Sequence, residues 1–184
     1  IRLVLGSLRA VAARLGVTII PMFVESEMHY YRTYVKVLNR PNQKENLGYI
    51  LHCKNCGNRK TTLEQEQECE LCKSKISVAG PLWIDKIFDK EFVQDMIIEN
   101  SKLETDKNCE KILCKCLSES EMPGTYYTID EVASIMKSSP PKLEKVISSL
   151  IENNFLASVT VFNPTGFRTN ANIKEIIKIF ETIQ

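Results

Sequence analysis

Two Cys-x2-Cys pairs, Cys53/Cys56 and Cys69/Cys72, stand twelve residues apart near the middle of the first half of the chain. Each pair brings two sulfurs to one ion, and four thiolates fill a tetrahedral shell with no position left for water or substrate. The spacing therefore predicts a closed four-cysteine zinc site that holds shape and performs no reaction. The polar loop between the pairs cannot build a core, so metal binding would order it, contributing on the order of 10 kcal/mol. His52 adjoins the first pair but is surplus to a four-sulfur set. Cys109, Cys114 and Cys116 have no partner at metal spacing, and Cys116 falls on an apolar helical stripe. Seven cysteines, an odd number, argue against a secreted disulfide framework and for a reducing compartment.

The flanks of this segment place it within a sheet. Ile1, Val4, Leu5, Leu8, Val11, Ala12 and Leu15 recur at helical spacing before Gly16. Strand-like runs follow at 17–25 and 29–39, then at 47–51 and 76–84. The four-cysteine segment, 51–75, thus reads as a zinc-ribbon-like insertion between strands of an antiparallel sheet. Helical stripes follow from Asp89 on, interrupted by a polar stretch at 101–107. The last third reads helix, turn, helix, hairpin, helix. Thr128 and Glu131 form a capping box, Pro140-Pro141 separates two helices, and Asn163-Pro164-Thr165-Gly166 turns the hairpin. The expected class is α+β: residues 1–100 as a helix plus sheet with the zinc insertion, and 101–184 as a winged-helix-like subdomain.

The net charge of +1 conceals a segregation. Residues 1–60 hold ten Lys/Arg against three Asp/Glu, whereas 61–122 hold eight against fourteen. A positive first third suits a polyanionic partner. Alternation along 29–39 puts Tyr30, Arg32, Tyr34 and Lys36 on one strand face. Rings that stack on bases, interleaved with cations that neutralise phosphates, make a nucleic-acid platform. The same residues also suit a half-buried strand covering a core edge. Arg2, Arg9, Arg40, Arg59 and Lys60 add positive charge nearby. In the hairpin, Arg168 beside Phe167 is the candidate contact.

Several function classes are excluded. None of the seven glycines is in G-x-G spacing, so no phosphate or cofactor loop is recognisable. Two histidines, one beside the metal pairs, leave no Ser-His-Asp or Cys-His set. No run approaches the roughly 20 apolar residues that span a bilayer. The chain opens at Ile1 inside a helical pattern, which reads as the interior of a longer protein.

Four strings together resemble one family: His29-Tyr30-Tyr31-Arg32 with Tyr34-Val35-Lys36-Val37; Gly48-Tyr49-Ile50; Ala79-Gly80-Pro81-Leu82-Trp83; and Pro164 to Ala171. In this order they are similar to the carboxy-terminal half of the tRNA (guanine-26) N2-dimethyltransferases of archaea and eukaryotes. Met28, Asp85 and Val161 depart from that family's pattern. The resemblance implies an S-adenosylmethionine-binding catalytic domain ahead of residue 1, with this chain supplying tRNA binding. It further implies tRNA and that catalytic domain as partners, no methylation by this chain alone, and a cytoplasmic or nuclear location. The competing reading is a zinc-ribbon and winged-helix transcription adapter that binds protein or DNA. A third is a domain that only buttresses its catalytic neighbour through the apolar face of residues 1–15.

Overall fold

The computed structural model describes every residue except 28, 43, 104–106 and 184. Met28 and part of the polar stretch at 101–107 therefore lie outside the described residues. Helix α1 (Arg2–Arg14) leads into β1 (Thr18–Glu27) and β2 (Tyr30–Leu38), then β3 (Leu47–His52), β4 (Arg59–Thr62) and β5 (Ser77–Trp83). Helices α2 (Lys90–Asn100) and α3 (Lys107–Glu119) follow. The remainder runs β6 (Tyr127–Thr128), α4 (Ile129–Met136), α5 (Leu143–Glu152), β7 (Ala157–Val159), β8 (Gly166–Thr169) and α6 (Ile173–Ile183).

The strands form three separate antiparallel sheets, not the single one that the sequence suggests for the first half. β1 and β2 make a two-stranded ribbon, β4-β3-β5 a second sheet and β6-β8-β7 a third. A register shift interrupts the β1–β2 pairing between Pro21 and Phe23. Such a bulge bends and twists the strand, and here it turns both Phe23 and Val24 inward. β3 and β5 flank the cysteine segment and pair directly, so that segment is inserted between two strands as expected. β4 arises inside the insertion, from the polar string Arg59-Lys60-Thr61-Thr62.

α1 seats on β5 through Gly6. A Cβ there would stand 3.2 Å from Leu82 Cα and 3.3 Å from Trp83 N, so glycine permits the close approach. Only part of the helix's apolar surface is covered. Leu5 and Ala12 are buried, but Val4, Leu8, Val11 and Leu15 are exposed.

The first apolar cluster joins Leu5, Ile19, Phe23, Val24, Trp83, Phe88 and Val93 to Leu113 and Cys116 of α3. α3 thus packs with the first unit although it lies beyond the polar stretch. The second cluster begins at Tyr127 and gathers Val132, Val146, Leu150, Phe167, Ile176 and Phe180. Burying each of its large side chains is worth about 1.5–3 kcal/mol. A third, small cluster of Leu51, Cys53, Cys69 and Ile76 sits around the cysteines.

Local signals set the helix ends. Asp89 caps α2 by accepting from Phe92 N at 2.9 Å. Thr128 caps α4 by accepting from Glu131 N at 3.1 Å, and Lys137 closes that helix in the left-handed region at φ 56°. β7 is shorter than its apolar run: Thr160 N still donates to Gly166 O at 3.2 Å, but Val161 and Phe162 leave the sheet. Thr160 and Val161 bond Glu119, while Val161 and Phe162 pack on the first cluster.

Candidate metal centre and nucleic-acid interface

The sulfur atoms of Cys53, Cys56, Cys69 and Cys72 all lie within 4.8 Å of one another. Cys53 and Cys72 are 3.5 Å apart, and Cys56 and Cys69 are 3.6 Å apart. A disulfide needs about 2.05 Å, whereas a tetrahedron with metal–sulfur bonds of about 2.3 Å has edges of about 3.8 Å. The spacing thus fits one ion held by four thiolates. Two matching turns create it. Cys53 N donates to Asn58 O and Gly57 N to Cys53 O, both at 2.8 Å. Cys69 N donates to Ser74 O at 2.8 Å and Lys73 N to Cys69 O at 2.9 Å. The residue after each second cysteine is left-handed, Gly57 at φ 80° and Lys73 at φ 60°. Hydrogen bonds from Ser74 and Asn55 hold the Cys72 thiol down, to about 5. Burial pushes Cys56 up to about 12.

The centre also joins the two halves. A Cβ on Gly57 would stand 2.7 Å from Ile135 Cδ1 of α4, and Cys56 and Leu71 pack against the second cluster. Cys109 and Cys114 are exposed and Cys116 is buried, with its thiol raised to about 12 by desolvation and then by Glu119.

The ten residues expected to meet RNA divide into distinct groups. Tyr30, Arg32, Tyr34 and Lys36 are all exposed along β2, and Arg40 is exposed just beyond it. Arg32 lies 4.6 Å from the Tyr30 ring centroid and 3.4 Å from Glu25. Tyr34 leans on the buried Phe23, with ring centroids 6.0 Å apart. Arg9 donates to Asn46 Oδ1 at 3.1 Å. Lys60 bonds Glu66 and Glu70 at 2.9 Å each, which neutralises it locally and raises its pKa.

Arg2, Arg59 and Arg168 are drawn together around a cleft of about 690 Å³, which Tyr31, His52, Tyr126, Glu131 and Phe162 also line. Arg168 is not at the hairpin surface where its sequence position suggests it would be. It is 4% exposed, with Nε 2.5 Å from Glu119 and Nη1 donating to Pro123 O at 2.7 Å. Arg59 donates to Tyr126 O at 2.6 Å, pairs with Glu131 and lies 4.6 Å from the Tyr127 ring centroid. The Glu131 carboxylate is thus taken up by Arg59. His52 is no metal ligand in this geometry. Its Nε2 lies 3.3 Å from Arg59, and burial, then the Arg59 charge, hold its pKa below the usual imidazole value.

Arg2 donates from Nη1 to Trp83 O at 3.0 Å and to Asp85 O at 2.9 Å. Burial, and then Arg168, lower its pKa to about 10. The sequence suggested neither Tyr31 nor Tyr126 as a site residue. Tyr31 lies on the opposite alternation face of β2, and only the fold brings 124–126 beside it.

The model of the N2,N2-dimethylguanosine tRNA methyltransferase family matches residues 1–181. A tRNA (guanine(26)-N(2))-dimethyltransferase of Methanobrevibacter smithii is 34% identical over 193 aligned residues, covering 100% of this chain and 50% of that protein. The corresponding enzyme of Methanothermobacter thermautotrophicus is 36% identical, with coverage of 84% and 43%. Trm1 from Pyrococcus horikoshii, solved with S-adenosyl-L-methionine, superposes with a TM-score of 0.81 at 26% identity, over 97% of this chain and 48% of that one. The chain spans about half the length of the curated relatives it matches. It belongs to the N2,N2-dimethylguanosine tRNA methyltransferase family.

Proposed function

We propose that this chain is the tRNA-holding half of an S-adenosylmethionine-dependent tRNA guanine-26 N2-dimethyltransferase. Its role is to orient the tRNA while a separate amino-terminal domain binds the methyl donor and carries out transfer. The observation that carries this reading is the family match over 1–181, on about half the length of the relatives, in a sequence with no G-x-G loop. Family membership displaces the transcription-adapter reading. The exposed row on β2 supplies rings for bases and cations for phosphates. The four cysteines hold a structural zinc, and the helix–turn–helix and hairpin of 129–169 act as a winged-helix-like support. The chain divides into a sheet-and-zinc unit that takes in α3 and a helical unit that gathers from Tyr127 on. In the whole protein, the methyltransferase domain covers the open apolar side of α1. The described helices include none long and apolar enough to cross a membrane, and the chemistry belongs where tRNA is processed, in cytoplasm or nucleus.

The test is tRNA binding by the metal-loaded chain across a salt series, with methyl transfer measured in parallel. The chain should bind a tRNA transcript and transfer no methyl group by itself. Arg32→Glu with Lys36→Glu should weaken binding and flatten the salt dependence by about one unit of log–log slope per lost phosphate contact. Unchanged affinity and slope in that double variant would remove the β2 row from the interface.

A further inference from the structure

The arginine-lined cleft is separate from both the β2 row and the cysteine centre. Two of its three guanidinium groups are matched by carboxylates: Arg59 by Glu131 and Arg168 by Glu119. Arg2 is not. It is partly buried, its bonds go to the Trp83 and Asp85 carbonyls, and no described carboxylate forms an ion pair with it. Asp85 and Glu119 act on it only from a distance. Withdrawing a cation from water without a counter-ion is costly, and here the uncompensated charge faces an opening of about 690 Å³.

The donor is also pre-aimed. Two backbone carbonyls fix Nη1, while Nη2 points at Gly124, where a Cβ would stand 3.1 Å away. Glycine there lets the backbone pack close against the guanidinium, which holds it in place. Flat rings complete the lining. Arg168 lies 6.0 Å from the Tyr126 ring centroid and 5.7 Å from that of Phe162, and Tyr31 is 62% exposed at the rim. A fixed guanidinium charge suits a phosphate, and an open ring suits a planar base. An acidic peptide would satisfy the charge but would leave the rings without a flat partner.

We propose that this cleft takes one nucleotide splayed out of an RNA strand, with its phosphate on Arg2 and its base stacked on Tyr31. The inference rests on the tRNA-binding reading and adds a second contact point, fixed by the Arg2 charge. Tyr31→Ala removes the stacking ring from an exposed position. Thr125→Glu adds a carboxylate to the lining of the same cleft and leaves the arginines in place.

The test measures anisotropy of a labelled tRNA transcript against the intact, metal-loaded protein, with thermal melting as the control for folding. The expected result is a loss of about fivefold or more in affinity for Tyr31→Ala, and a larger loss for Thr125→Glu, with melting unchanged in both. Wild-type affinity in both variants, alongside a weakened Arg32→Glu, would overturn the cleft proposal and leave the broader reading standing. No tRNA binding by the wild type would overturn both. Two competitors test the source of the ligand. Guanosine 5′-monophosphate should compete with tRNA on wild type and not on Tyr31→Ala. Should a polyglutamate peptide displace tRNA while guanosine 5′-monophosphate does not, the cleft serves an acidic peptide and the proposal fails.

Discussion

Glu119 and Arg168 stand 49 positions apart, yet the fold buries them against each other with the carboxylate fully bonded to Arg168, Thr160 and Val161 N. Arg168, flanked by Phe167 in a hairpin, has the local appearance of a surface contact. Its burial depends on a carboxylate at the end of a distant helix, which no local periodicity reveals. Thr128 and Glu131 show the opposite balance, because a cap needs only neighbours in sequence and was legible. Even there, the Glu131 carboxylate was claimed by Arg59, 72 positions away. The Glu119–Arg168 pair makes a sharp test of buried charge. Arg168→Met strands an unpaired buried carboxylate and should cost about 3–5 kcal/mol in denaturant unfolding. Adding Glu119→Gln keeps one acceptor oxygen for Val161 N, sets its NH2 to donate to the Thr160 hydroxyl and removes the stranded charge, so it should restore part of that loss. A further loss on adding it would mean that charge burial is not what the pair balances.

At the scale of elements, the cysteine turns were the most legible feature because two residues at fixed spacing dictate the geometry. β4 was not legible, since Arg59 to Thr62 lacks an apolar face and pairs with β3 only once the turns are closed. β6 was missed because it is only two residues long. The turns also bear on the second cluster, through Gly57 against Ile135 and through Cys56 and Leu71. Metal removal should therefore destabilise more than the loop itself. Zinc analysis should give one ion per chain, and chelation or Cys56→Ser should lower the melting midpoint. A loss of only about 3 kcal/mol corresponds to about 6–12 °C in a domain of this size. A midpoint indifferent to chelation would show that the sulfurs carry no stabilising ion.

Across the whole molecule, the polar stretch at 101–107 looks like a boundary in sequence, but apolar packing changes partners later. Leu113 and Cys116 join the first cluster, and the second begins at Tyr127. Composition marks where chain is solvated, not which side of the break a helix packs on. α1 carries the complementary lesson. Its apolar recurrence correctly foretold a helix, but Val4, Leu8, Val11 and Leu15 remain exposed along one side. Those residues follow i, i+4, i+7, i+11, a stripe fit to pack on another element. Covering what remains open would be worth about 1 kcal/mol per side chain, or about 4 kcal/mol for the stripe. The proposed occupant is the methyltransferase half that relatives twice as long would supply. Leu8→Asp with Leu15→Asp should therefore leave melting of this chain nearly unchanged, because surface changes usually stay within about 0.5 kcal/mol. In the full-length protein the same pair should lower both the melting midpoint and methyl transfer to tRNA. If the full-length protein tolerates both aspartates with melting and methylation intact, the stripe faces solvent there too, and the two halves meet through some other surface.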